Sequence, residues 1–211
     1  MRYESVYRGF GEVVFYVGGL NPIAQPRSAR NNHLNETLTA NHTMTVRTAQ
    51  TKPNFLIRID DLTGPDIARL LEEHLADMNA TSPPESKHAL DLDGLKQPDV
   101  TFWTIWATNT EGQGEQLAGC CALKRLTENH GEIKSMRTAM AFRRQGVAQR
   151  LLQHLLDQAK VQQLTRLSLE TGSMDYFAAA RALYSRFGFE ACPPFGDYVE
   201  DPNSVFMTRR I

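Results

Sequence analysis

Residues Glu132 to Lys160 read EIKSMRTAMAFRRQGVAQRLLQHLLDQAK, and this stretch decides the fold. Glu132 to Thr138 alternates polar residues with apolar or small ones, as a strand does. The run Arg143-Arg144-Gln145-Gly146-Val147-Ala148 follows, and a helix opens directly out of it. Val147, Leu151, Leu152, Leu155, Leu156 and Ala159 recur at helical spacing, which gives that helix one apolar face. A helix start built on glycine and small residues leaves backbone N–H groups free to close on an anion, with the positive end of the helix dipole behind them. The arginines add charge and bidentate reach. The stretch predicts a phosphate cradle, best suited to a pyrophosphate.

Two common cradles are excluded by what is missing. A Walker loop needs Gly-Lys-Ser/Thr, and a dinucleotide fold needs G-x-G-x-x-G after a strand. The pattern present, Arg143-x-x-Gly146-x-Ala148, resembles the R/Q-x-x-G-x-G/A motif of the GNAT acyl-CoA N-acyltransferases. Further along, Ala180-Arg181-Ala182-Leu183-Tyr184-Ser185-Arg186-Phe187-Gly188-Phe189 resembles the A-x-x-L-Y-x-x-x-G-F ending of the same family. Upstream, Glu132 stands where many of these enzymes place a general base. The resemblance covers Phe55 to Ile211. It implies an α+β GNAT fold, with a mixed central sheet of about six to seven strands and about four flanking helices. It also implies an N-acetyltransferase that moves an acetyl group from acetyl-CoA to an amine of a small molecule or peptide, by direct attack in a ternary complex.

The resemblance also distributes roles. Met136 and Thr138 would bond the pantetheine arm through their backbone, and Arg143, Arg144, Gln145, Gly146, Val147 and Ala148 would hold the pyrophosphate. A side chain at Gly146 would push phosphate away from the backbone donors. The family often has Val where Thr138 sits and Pro where Met140 sits, but backbone donors survive such changes. Tyr184 would bond the CoA sulfur and protonate the leaving thiolate, as a phenol can; the alternative is that it merely packs beside Phe187. The usual family pattern has an Asn seven residues before this tyrosine, where this chain has Phe177, so one polar contact to the cofactor is missing.

An amine acceptor is protonated at neutral pH and must lose a proton before it attacks a thioester. Glu132 is the candidate base, and the competing reading is a surface glutamate on a strand edge. Glu170, near the end of the next strand, is the reserve. Alternation puts Glu132, Lys134, Met136 and Thr138 on one strand face. Lys134 either holds Glu132 ionised or neutralises a carboxylate on the substrate. The acidic segment Phe195 to Ser204 would lie beside the acceptor pocket or at a homodimer contact, or be a solvated loop.

Composition narrows the rest. The chain has 211 residues, 41% hydrophobic and 22% charged, and a formal net charge of −1. These values describe a soluble globular protein with no main nucleic-acid or membrane partner. Three cysteines, with Cys120 and Cys121 adjacent in a strand where only one can face the core, form no disulfide framework and fit a reducing cytoplasm. No His/Cys/Asp spacing predicts a metal site, and His74 and His154 fall on helices where solvation is expected. Residues 1–52 lack periodicity and read as a disordered N-terminal extension, with Met44 as a possible true start and a genuine flexible arm as the equal alternative. Residues 53–211 form the GNAT domain.

Within that domain Phe55 to Asp60, Val100 to Ala107, Leu117 to Leu126 and Arg166 to Glu170 read as strands, with closing strands at Phe189 to Cys192 and Val205 to Thr208. Thr63 is placed to cap a helix with Pro65 and Asp66 in its first turn and an Ile67, Leu70, Leu71, Leu75, Met78 stripe. A short helix is expected at Glu85 to Leu90, and another helix at Phe177 to Arg186. Two further functions stay open beside the enzyme: a non-catalytic module that binds or senses acyl-CoA, and a protein-interaction subunit whose partner carries the acceptor site, which the N-terminal arm leaves open.

Overall fold

The computed structural model describes residues 53–81, 92–108 and 114–211. The expected extension over residues 1–52, the start at Met44 and the helix expected at Glu85 to Leu90 lie outside these residues. In chain order the elements are β1 (Asn54–Ile59), α1 (Pro65–Thr81), α2 (Leu92–Leu95), β2 (Val100–Thr108), β3 (Glu115–Arg125), β4 (His130–Thr138), α3 (Val147–Val161), β5 (Arg166–Gly172), α4 (Ala178–Arg186), β6 (Glu190–Ala191) and β7 (Ser204–Arg210). The strands form one seven-stranded mixed sheet in the order β1-β2-β3-β4-β5-β7-β6. Only β4 and β5 run parallel. This is the α+β fold expected.

Each face of the sheet carries its own apolar core. The six periodic residues of α3 are all buried and pack on Cys121, Leu123 and Ile133 of the sheet, with Leu183 and Tyr184 of α4 in the same cluster. Truncating one such leucine to Ala costs about 2–5 kcal/mol. On the other face Ile67, Leu70 and Leu71 of α1 meet Phe102, Cys120 and Ala122. Because both faces are covered, Cys120 and Cys121 are both fully buried. The expectation that only one of them faces a core assumed a sheet with one wet side.

Two local expectations also change. Thr63 does not cap α1: its hydroxyl donates to Asp61 Oδ1 at 2.6 Å, and Pro65 opens the helix. Leu75 leaves the stripe and is 42% exposed, while Met78 turns into the cleft described below. His130 begins β4 and is buried, with its Nε2 2.8 Å from Ser168 Oγ.

The feature that positions the site is a bulge. Ala122 pairs with Lys134 and Cys120 with Arg137, so Cys121 faces both Ser135 and Met136. Ser135 takes a positive φ of 50° to accommodate the extra residue. The alternation therefore slips by one. Glu132 and Lys134 share the face on which Arg137 meets α1, whereas Met136 packs against the α3 cluster. The single face expected for Glu132, Lys134, Met136 and Thr138 is thus broken after Lys134.

Candidate active site

Pairing between β4 and β5 runs only from His130–Arg166 to Ile133–Leu169. Both strands continue, β4 to Thr138 and β5 to Gly172, but they part. From Lys134 onward the edge of β4 that faces β5 has no strand partner, so its backbone polar groups are available to a ligand. The gap holds a cavity of about 110 Å³ lined by Glu132, Lys134, Met136, Glu170, Phe177, Tyr184, Tyr198 and His74, among others. The two candidate bases, the candidate acid and one pantetheine residue thus share one cleft.

Just beyond β4 the chain makes a short turn of 3-10 helix at Met140–Phe142, buries Phe142 and enters the cradle. Gly146 has φ 82° and is the N-cap of α3, with no side chain capping the helix. A side chain at this φ is strained. The first N–H groups of a 15-residue helix therefore face outward with only the helix dipole behind them. Arg143, Arg144 and Gln145 are exposed, Val147 is buried in the core, and Ala148 is half-buried. Val147 can thus serve a ligand only through its backbone. Gln145 spends its side-chain amide on Ala141 O at 2.8 Å. Arg150 was missed in the sequence: its Nη1 lies 3.4 Å from where a Cβ on Gly146 would stand, and its guanidinium stacks on Phe55. The signal was available, since Arg150 follows Gly146 by one helical turn. Thr138 pairs with Gly119 at the end of β4, beside the cradle.

Glu132 is 3% exposed, which excludes the surface reading. Its Oε1 accepts from the Tyr198 hydroxyl at 2.6 Å and from Lys134 Nζ at 2.9 Å, and Lys134 also donates to the Tyr198 oxygen at 2.8 Å. Oε2 takes no hydrogen bond from the described residues. Burial, with the Glu132 charge next, pushes the Tyr198 phenol far above its ordinary range, so it stays a donor. Of the acidic segment Phe195 to Ser204, Tyr198 and Ser204 reach the site, while Asp197 and Glu200 are exposed. Glu170 lines the same cleft and accepts from Ser204 Oγ at 2.7 Å.

Tyr184 reaches the cleft from α4. Its hydroxyl points at Met136 Sδ at 3.7 Å, a weak acceptor that leaves the proton free. Burial raises its pKa well above the usual phenol value, with Cys121 and Glu170 adding to the effect. The phenol is therefore protonated throughout the physiological range. Phe177, where the family pattern has Asn, packs directly against Gly172, whose added Cβ would be 2.2 Å from the Phe177 ring. The missing polar contact becomes an apolar wall. Burial holds the Cys120 thiol up at about 12 and raises Cys121 as well, so neither is a ready thiolate.

The opposite wall comes from α1. Asp77 Oδ2 accepts from Arg137 Nη1 at 3.0 Å and from the Tyr176 hydroxyl at 2.9 Å. Arg137 Nη1 also donates to His74 Nδ1 at 3.4 Å, which leaves the His74 proton on Nε2. Burial, then the Arg137 charge, lowers the His74 pKa to about 4. His74 is therefore a neutral residue of the cleft, not the solvated one expected. His154 likewise stacks edge-on against Trp103, with ring centroids 5.3 Å apart. Among the described residues no group of His, Cys, Asp or Glu side chains is arranged to hold a metal ion, and no helix is long and apolar enough to cross a membrane.

Comparison with known proteins agrees with this arrangement. Residues 67–189 match a model of the acetyltransferase (GNAT) family. The chain is 54% identical to the uncharacterized N-acetyltransferase YsnE of Bacillus subtilis over 155 residues, which covers 74% of this chain and 99% of the relative. It is 49% identical to the uncharacterized N-acetyltransferase YedL of Escherichia coli, covering 73% of this chain and 93% of that one. A solved structure from Klebsiella pneumoniae, assigned to the acyl-CoA N-acyltransferases, superimposes with a TM-score of 0.60 at 28% identity over 74% of this chain and 97% of that one. Its sequence and its fold together place this chain in the acetyltransferase (GNAT) family, as an acetyl-CoA-dependent N-acetyltransferase.

Proposed function

We propose that the protein transfers the acetyl group of acetyl-CoA to the amine of a small molecule or peptide, by direct attack within a ternary complex. The parting of β4 from β5 carries this reading, because Glu132 and Tyr184 both line the gap and the uncapped start of α3 follows it. The pantetheine arm would lie along the unpaired backbone of Met136 to Thr138. The pyrophosphate would sit on the N–H groups from Gly146 to Ala148, with Arg143, Arg144 and Gln145 beside it.

An acceptor ammonium first gives one proton to Glu132, or to Glu170. The freed nitrogen lone pair then attacks the thioester carbonyl carbon. The C–N bond forms, the C–S bond breaks, and the electron pair leaves on sulfur. Tyr184 gives its hydroxyl proton to that thiolate, and the second proton lost by nitrogen restores the phenol. The sum is an N-acetyl amine, the CoA thiol and one proton released. The natural compartment is the cytoplasm, where acetyl-CoA is the substrate at hand and thiols such as Cys192 stay reduced.

Calorimetry with acetyl-CoA tests the donor half, comparing wild type with Gly146→Ala and Gly146→Asp. Alanine reports the strain of a Cβ at positive φ, and aspartate adds a charge facing the phosphates. Wild type is expected to bind in the micromolar range, and Gly146→Asp at least about tenfold more weakly than Gly146→Ala. No heat from folded wild type with acetyl-CoA, propionyl-CoA or free CoA would sink the reading.

A further inference from the structure

The cleft between β4 and β5 is too small to seat both a thioester and the body of an acceptor. Its cavity is about 110 Å³, whereas pockets that hold drug-sized ligands run to about 300–1,000 Å³. A second cavity of about 270 Å³ lies against it, and Glu132, Lys134 and Tyr198 line both. Glu132 therefore borders both cavities, and the second is the roomier.

The walls of that second cavity have a definite chemistry. Lys124 stands directly opposite Glu132 across the β3–β4 ladder, which puts their Cβ atoms about 5 Å apart. Lys134, two residues from Glu132, donates to both Glu132 and Tyr198. Lys124 is different: it is half-buried, lines the cavity, and makes no hydrogen bond or ion pair among the described residues. Asp197 is exposed on the rim of the same cavity, where solvent screens it. The apolar wall is Phe195, held rigid by ring contacts to His130, Tyr198 and Phe206, with Val199 beside it.

We infer that the second cavity seats the acceptor, and that the acceptor is a small amino carboxylate with an apolar side chain. Its amine meets Glu132 Oε2, its carboxylate pairs with Lys124, and its side chain lies on Phe195. The carboxylate-neutralising role that the sequence offered to Lys134 thus passes to Lys124. The inference rests on the donor reading given above, and the transfer step is the one already written, with an N-acetyl amino acid as product.

The test compares L-phenylalanine, L-leucine and phenethylamine as acceptors, with thiol release as the readout, for wild type, Lys124→Met and Val199→Trp. Acetyl-CoA affinity is measured on all three proteins by calorimetry. Wild type should favour L-phenylalanine over phenethylamine in kcat/KM by about tenfold or more, the scale of one charge-assisted hydrogen bond. Lys124→Met should bring that ratio close to one, chiefly through KM. Val199→Trp, which fills the cavity from its rim, should abolish turnover of both amino acids. Neither change should alter acetyl-CoA affinity. If phenethylamine matches or beats L-phenylalanine, or Lys124→Met leaves the ratio unchanged, the inference fails while the donor reading stands. It fails in the same way if the protein binds acetyl-CoA but acetylates no amino carboxylate. If folded wild type binds no acetyl-CoA, both fall together.

Discussion

Replacing Tyr184 by Phe removes one oxygen from a side chain that is 7% exposed. The magnitude of the effect depends on what that oxygen does. Structurally it does little, because its hydroxyl donates to the Met136 sulfur at 3.7 Å, a weak acceptor. Losing such a contact, and with it the burden of burying a hydroxyl, should change stability by less than about 1 kcal/mol in either direction. For a chain of this size that is a shift in Tm of no more than about 2–4 °C. In the proposed mechanism the same oxygen is the acid for the departing thiolate, and removing a positioned acid typically costs about 10²–10⁴-fold in rate. The ring stays in place against Phe189, so the cleft keeps its shape. Acetyl-CoA affinity should therefore be unchanged by calorimetry while kcat, followed by thiol release, falls at least about a hundredfold. Because the phenol is held protonated well above its ordinary range, wild-type activity should show no loss below pH 10 traceable to this group. A Tyr184→Phe enzyme within threefold of wild-type kcat would refute the acid role and leave only packing.

The buried Glu132–Lys134 pair makes a second prediction: Glu132→Gln should cost about 3–5 kcal/mol in chemical denaturation, because it leaves the Lys134 charge unpaired. Glu132→Gln combined with Lys134→Met should recover most of that loss, and no recovery would show that the pair is not coupled. His74 is held near pKa 4 when folded against about 6.5 unfolded, so the unfolded chain takes up the proton first as pH falls. Its contribution is complete above pH 6.5 and is lost between pH 6.5 and 4. Wild type should lose about 3 kcal/mol more over that window than His74→Phe, as measured by urea melts at each pH. Gly172→Ala should destabilise by about 1–3 kcal/mol, since the new Cβ would stand 2.2 Å from the Phe177 ring. Adding Phe177→Leu should relieve most of the penalty, and thermal melts of the two variants decide the point.

The parts of this molecule legible in the sequence are those fixed by short-range physics. The apolar face of α3 follows from period 3.6, and the positive φ at Gly146 follows from a glycine at a helix start. Tyr184 and its neighbours were legible because a helix, a glycine stop and a following phenylalanine fall within ten residues. What escaped depends on distant chain. Nothing in the residues around Ser135 marks the bulge, which shows only in the register against β3. Tyr198 reaches Glu132 from 66 residues away. The neutral His74 needs Arg137, 63 residues on, and the burial of both adjacent cysteines needs helices on each side of the sheet.

The extra residue in β4 has a consequence for how this enzyme can diverge. Before it, Glu132 and Lys134 answer to Tyr198 and the loop that carries it; after it, Met136 and Thr138 answer to α3 and the cradle. One continuous strand is thus divided into two mutationally separate halves. On the proposed function, substitutions upstream would retune which amine is accepted without disturbing how CoA is held. Deleting Ser135 would restore the regular ladder, with Met136 opposite Cys121 and Arg137 still opposite Cys120, so the downstream half would keep its faces and lose only the bulge that sets it apart.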